Sequence, residues 1–209
     1  MNTIKKHTTN PSAAAVVGQG TARASAASRT SRLASGVPIR YAVGAAPAQP
    51  GSEVTLGSAL IARSERGICA ILLGDEQALL EAELARYFPG ADLQEDHGSL
   101  SDVLADWWAF LATPSRGFLH PLDLAGTPLQ QQVWQALQAI PVGSTLTYTD
   151  LAVRVGRPQA VRAVASACAA NRLAVVIPCH RVVGRSGSLT GYRWGLDRKR
   201  LLLDMEAAQ

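Results

Sequence analysis

The sequence predicts an α/β unit followed by a mainly α-helical domain carrying a helix-turn-helix, and three observations predict it. Short β-type apolar runs alternate with helical periodicity in the first half of the chain. From Gly126 onward, helix caps and breakers punctuate a series of short helices. Between two of those helices lies Val155-Gly156-Arg157, a joint of the length and composition that a helix-turn-helix uses.

Taken in order, residues 1–36 are rich in Ala, Ser and Thr, hold no aromatic side chain and repeat no apolar period, so a disordered tail is expected. Its Arg- and Ser-rich, acid-free composition also resembles an organellar transit peptide. Deleting this segment should leave the melting temperature nearly unchanged; a large fall would show that it packs on the fold. Residues 39–43, 59–62 and 68–73 read as strands, the last two joined as a hairpin through Arg63-Ser64-Glu65-Arg66-Gly67. Residues 75–88 read as a helix, with Leu79, Leu80, Glu83, Leu84 and Tyr87 at three-to-four spacing and Pro89-Gly90 as the stop. A helix over 101–111 and a strand over 119–124 complete a small α/β module, residues 37–125.

Residues 126–209 form the second domain. Thr127 caps, Pro128 suits the first helical position and Gln130 closes a capping box, opening a helix that runs to Ile140 and stops at Pro141-Val142-Gly143. Thr147 with Asp150 repeats the device for a short helix ending before Gly156. Pro158 starts the next, which runs to Ala170 with Asn171 as a left-handed end. On that helix Val161, Val164, Ala165 and Cys168 form the inward stripe, leaving Gln159, Arg162, Ser166 and Ala170 on the outer face. A face so bare lets a helix, normally ~10–12 Å wide, approach a minor groove of ~6 Å, and it equally suits tight helix packing.

A chain of 209 residues that is 47% hydrophobic and 5% aromatic buries a core, which excludes wholesale disorder. No apolar run approaches the ~18 residues that a membrane helix needs, and a soluble, cytoplasmic protein is expected. Cys69, Cys168 and Cys179 form no Cys-x-x-Cys pair, so reduced thiols and no metal site are expected. The net charge of +4 is unevenly spread, with a basic segment from 151 onward following an acidic one. Either a polyanion partner for one face or a solvated basic face accounts for it.

Residues 175–177 read as a buried strand that Pro178 breaks, presenting the Cys179 thiol at its end. Neighbours in an extended chain point in opposite directions, so Cys179-His180 alone is weak evidence for catalysis, and a packed thiol is the plain alternative. The longer run Ile177-Pro178-Cys179-His180-Arg181-Val182, however, resembles the active-site motif of the O6-alkylguanine-DNA alkyltransferases. The resemblance covers residues 127–206 and places Asn171, Arg162, Tyr148 and Glu206 where that family has functional residues. Residues 162–171 are particularly similar to the alkyltransferase half of the bacterial adaptive-response protein, and residues 64–70 extend a weaker similarity into the first module.

The resemblance implies a ribonuclease-H-like first module, a winged helix-turn-helix-like second domain and one suicide reaction, in which Cys179 takes the alkyl group from O6-methylguanine in duplex DNA and also from O4-methylthymine. It implies a Glu206–His180–water–Cys179 relay that supplies a thiolate, since a neutral thiol of pKa ~8.5 is a poor nucleophile. Glu206 has support from the residues themselves: it shares a helix face with Leu202 and Leu203, which points it inward. By the same resemblance Arg162 fills the gap left by a flipped base and Tyr148 pushes the nucleotide's phosphate. The loop 190–195 walls the guanine pocket, and the Val182 carbonyl and Tyr192 read the base edge. Arg193 and Trp194 add bulk that disfavours large O6 substituents. No cofactor is expected, and the partner is double-stranded DNA bound by a monomer. Residues 1–36 hold no cysteine for the four-cysteine zinc site of the adaptive-response protein, so a stand-alone repair unit without self-activation is expected. A non-catalytic, alkylated-DNA-binding helix-turn-helix regulator and a cysteine hydrolase are the competing functions.

Overall fold

The computed structural model describes residues 36–47 and 55–208. The expected tail lies outside them except for Gly36. Strand β1 (Pro38–Ala45) pairs antiparallel with β2 (Ser58–Ser64), which turns tightly into antiparallel β3 (Gly67–Gly74). Gly67 closes the turn at φ 145°, and a Cβ there would sit 2.7 Å from the Pro121 carbonyl carbon, so no larger residue fits. Helix α1 (Gln77–Tyr87) and β4 (Asp92–Glu95) follow, and β4 joins β1 in parallel, giving the order β3-β2-β1-β4. Helix α2 (His97–Ala112) packs on β1 and buries Trp107 completely. β3 is buried along nearly its whole length, as its unbroken apolar run suggests.

Four expectations for this part change. β4 went unanticipated because Asp92-Leu93-Gln94-Glu95 is a polar edge strand with one half-buried apolar residue, too short to show alternation. The strand expected at 119–124 reduces to a single bridge between Leu122 and Ile68, and Pro121 beside it has no N–H to extend a ladder. α2 begins before 101, because Asp96 accepts from the Ser99 amide (2.9 Å) and caps it. On α1, Leu79 is 65% exposed, so the inner stripe is Leu80 and Leu84 with Glu83 and Tyr87 half-buried beside it.

Helix α3 (Pro128–Gln138) opens on the expected capping box, with Thr127 N donating to Gln130 Oε1 (2.8 Å) and Gln130 N to Thr127 Oγ1 (3.3 Å). The two-residue strand β5 (Leu146–Thr147) leads into α4 (Tyr148–Arg154), which Thr147 caps through the Asp150 amide (3.1 Å). Helix α5 (Val161–Ala169) starts later than Pro158, since residues 157–160 close a turn through the Ala160 N to Arg157 O bond (2.9 Å). Its buried stripe is Val164, Ala167 and Cys168, while Val161 and Ala165 are half-exposed.

Asn171 is not a left-handed helix end: α5 closes on Ala170 in right-handed geometry, and the one non-glycine with positive φ among the described residues is Val175 at 67°. Residues 175–177 are likewise a buried turn, not a strand. The Asn171 side chain explains both. Its Nδ2 donates to Leu173 O (3.3 Å) and Ile177 O (2.9 Å), and its Oδ1 accepts from Leu173 N (2.8 Å), satisfying buried backbone groups that a strand ladder would otherwise serve. Strand β6 (Val182–Val183) pairs in parallel with β5, and α6 (Leu196–Ala207) closes the fold. One continuous apolar core runs from the sheet to α3, α5 and α6. Among the described residues no helix is long and apolar enough to cross a membrane.

Candidate active site

The Cys179 thiol belongs to a one-turn 3-10 helix, Cys179–Arg181, which follows the Asn171-braced loop directly. Asn171 Nδ2 lies 3.3 Å from Cys179 Sγ, so the amide that fixes the loop also donates to the sulfur. Cys179 is 7% exposed and reaches a cavity of about 440 Å³. It is lined by Tyr148 of α4, by Ala165, Cys168 and Ala169 of α5, by Asn171, and by Thr190, Gly191, Tyr192 and Arg193 of the segment before α6.

His180 points away from that cavity into the protein, fully buried, and its Nε2 lies 2.8 Å from Glu206 Oε1. Glu206 sits on the inner face of α6, as its spacing from Leu202 predicts. Arg181 completes a buried cluster: its guanidinium holds Glu206 through Nε (2.9 Å to Oε2) and Nη2 (2.8 Å to Oε1), and its Nη1 donates to Ile140 O (2.6 Å). Burial opposes the Glu206 charge, yet the bonds from His180 and Arg181 prevail and hold its pKa at about 2. With a carboxylate facing Nε2, that nitrogen carries the proton, and Nδ1, which has no protein partner, is the basic atom. Burial pushes the His180 pKa below the usual 6.5, more than Glu206 raises it, so the ring rests neutral.

Burial also raises the Cys179 pKa above its ordinary value, and the Asn171 amide and Lys199 pull in the opposite direction without prevailing. Its proton must therefore leave before the sulfur can act as a nucleophile, which is the step that the expected relay supplies.

Of the other expected residues, Tyr148 lines the cavity with its hydroxyl donating to Gly191 O (3.2 Å), and burial lifts its pKa to about 12. Tyr192 lines the cavity too, with its hydroxyl buried and without a protein partner. Trp194 stands behind it, edge-on at 5.3 Å between ring centroids, and does not reach the cavity. Arg193 is on the wall, but its donors are engaged with Ala169 O and Glu83. Arg162 is exposed on the outer face of α5, 17 residues before the thiol in sequence, with no hydrogen bond or ion pair among the described residues.

Two residues escaped the sequence reading. Lys199 is fully buried, and its Nζ donates to Val182 O (2.5 Å) and Thr190 O (2.9 Å). The first carbonyl is the one expected to read the base. The α6 spacing that turns Glu206 inward applies equally to Lys199, seven positions earlier, so the signal was present. Arg181, by contrast, lies within the motif but gave no local sign of its bond to a carboxylate 25 residues away.

Residues 128–208 match the family described as 6-O-methylguanine DNA methyltransferase, DNA binding domain. The Escherichia coli bifunctional transcriptional activator/DNA repair enzyme Ada is 50% identical over 169 residues, covering 81% of this chain and 46% of that protein. The chain thus spans about half that relative's length. The Mycobacterium leprae methylated-DNA–protein-cysteine methyltransferase is 45% identical over 114 residues, 54% of this chain and 69% of that protein. The Mycobacterium tuberculosis OGT, solved in complex with DNA, matches with a TM-score of 0.62 at 32% identity, over 81% of this chain and 93% of that one. With this thiol cavity, this motif and these relatives, the chain belongs to the methylated-DNA–protein-cysteine methyltransferase family.

Proposed function

We propose that the protein repairs duplex DNA by one stoichiometric transfer of the alkyl group of O6-methylguanine, and also of O4-methylthymine, to Cys179. The observation that carries this reading is a buried thiol at the wall of an open cavity, contacted by the Asn171 amide and followed in the chain by a His180–Glu206 pair. The thiol proton passes through a water to His180 Nδ1, and Glu206 and Asn171 stabilise the imidazolium and the thiolate that result. The sulfur lone pair forms a bond to the alkyl carbon, the carbon–O6 bond breaks, and its electron pair leaves with the guanine, which takes up a proton. The thioether is stable and no second nucleophile releases it, so each molecule acts once. Incubation with a methyl-labelled duplex tests the reading: label on a Cys179 peptide is expected, whereas bound but unaltered DNA would indicate a non-catalytic binder.

A base stacked in a duplex cannot reach Cys179, so it must be flipped out at a cost of a few kcal/mol. The helix pair α4–α5, read as a winged helix-turn-helix with β6 and its following loop as the wing, presents Tyr148 and Arg162 for that step. Arg162→Ala and Tyr148→Ala should react tens- to hundreds-fold more slowly with duplex, about 2–3 kcal/mol in the barrier, yet near normally with free O6-methylguanine. Equal losses on both substrates would mean that these side chains shape the cavity instead. We divide the chain into a tail (1–36), a sheet module (37–125) read as ribonuclease-H-like, and the alkyltransferase domain (126–209). The 3-2-1-4 strand order, with β4 parallel to β1, supports the reading of the sheet module.

A further inference from the structure

Arg193 joins three parts of the molecule. Its Nε and Nη2 donate to Ala169 O (3.0 and 2.9 Å), the last residue of α5, where a cation meets the negative end of the helix. Its Nη1 reaches across to Glu83 Oε1 (3.0 Å) on α1 of the sheet module. The same carboxylate oxygen accepts from the Tyr87 hydroxyl (3.0 Å), and the Arg193 guanidinium lies 5.2 Å from the Tyr87 ring centroid. Arg193 and Ala169 both line the cavity, the one from the 190–195 loop and the other from the end of α5, whereas Glu83 and Tyr87 do not. Glu83 thus supplies a carboxylate on the inward side of α1, where the periodicity calls for an apolar residue, and Arg193 is its long-range partner.

From this geometry we infer that Glu83 and Tyr87 are positioning residues for the reaction proposed above, on which the inference rests: they hold Arg193 across the gap between the modules and so set the separation of the two cavity walls. The sheet module, which contributes no side chain to the cavity, thereby controls which O6 substituents it accepts. With Glu83 in place the 190–195 loop is tethered to α1 as well as to the end of α5, and the cavity fits a small alkyl group. Without it, Arg193 loses one of its two anchors and the loop can move outward. A methyl group is then held less well and a larger group gains room.

The test compares Glu83→Ala and Tyr87→Phe with the unaltered chain, with Glu83→Asp as the conservative rescue. Single-turnover rates are measured with free O6-methylguanine and free O6-benzylguanine, so that DNA binding does not enter. Glu83→Ala should raise the benzyl-to-methyl rate ratio about tenfold, corresponding to about 1.4 kcal/mol, with a smaller rise in Tyr87→Phe and partial restoration in Glu83→Asp. The pH profile of Cys179 alkylation by iodoacetamide should move slightly upward, since Arg193 is one of the charges that lower the thiol pKa and the substitution releases it outward. In parallel, amide hydrogen exchange over 190–195 should quicken in Glu83→Ala without a change at β5, β6 or α3. A benzyl-to-methyl ratio and loop exchange both equal to those of the unaltered chain would overturn the latch. Exchange needs no substrate, so it judges the latch even if Cys179 proves unreactive, an outcome that would reject the proposed function separately.

Discussion

Cys179→Ser should abolish alkyl transfer while leaving lesion-containing duplex bound almost as before. The expected loss is roughly 10⁴-fold or more, about 5.5 kcal/mol in the barrier, because a serine hydroxyl is far less acidic than a thiol and His180 cannot deprotonate it appreciably. The Asn171 amide loses its sulfur contact but keeps Leu173 O and Ile177 O, so the loop geometry should survive and the melting temperature should change little. Peptide mass spectrometry on the unaltered protein should locate the methyl on Cys179. Methyl on Cys168, which lines the same cavity, would reassign the nucleophile; burial raises the pKa of both thiols, but Cys179 has the Asn171 amide to stabilise its thiolate.

Glu206→Gln should show the largest effect on stability. Removing one partner of a buried, multiply bonded ion pair leaves the Arg181 charge uncompensated, at a cost of about 3–5 kcal/mol. The folded pKa of about 2 lies below the unfolded value near 4.3. The contribution is therefore complete above roughly pH 4.3 and lost as the pH falls toward about 2. His180 acts in the same direction at higher pH, since burial depresses its folded pKa and the unfolded chain takes up the proton first, below roughly pH 6.5. Urea unfolding of the unaltered protein should thus weaken steadily from pH 7 to pH 3, and in Glu206→Gln the fall between pH 5 and pH 3 should shrink by roughly 1.5 kcal/mol, about half of what the full shift from 4.3 to about 2 releases. Transfer should also slow, and Cys179 should need a higher pH to react, because an amide stabilises the imidazolium less well. An identical acid limb in both proteins would mean that Glu206 titrates normally and the cluster does not hold it.

The contrast between Glu206 and Arg181 shows how far sequence reading reaches. Glu206 was legible because α6 has a period, and a carboxylate at the spacing of Leu202 must face inward. Arg181 has no such period around it, and its partner is chosen by where α6 returns in space. Trp194 illustrates the converse: loop membership placed it at the guanine pocket, but its ring packs behind Tyr192 and can act on the cavity only through that residue. The run 175–177 was misread because an apolar triplet has no period long enough to separate a strand from a buried turn. What decided it was Asn171, whose amide serves the backbone groups of that loop from outside it.

The sequence by itself determined the α3 and α4 caps, the hairpin and the family. These follow from residues within one or two helical turns of each other, where steric preference and hydrogen bonding act locally. Tertiary structure alone decided the protonation states and the anchoring of the cavity. Burial raises the Cys179 pKa and lowers that of His180, and burial is a property of the packed whole. The Glu83–Arg193 pair joins residues 110 apart in sequence. No local pattern encodes such a contact, because its energy appears only after the core has brought the sheet module and the alkyltransferase domain together.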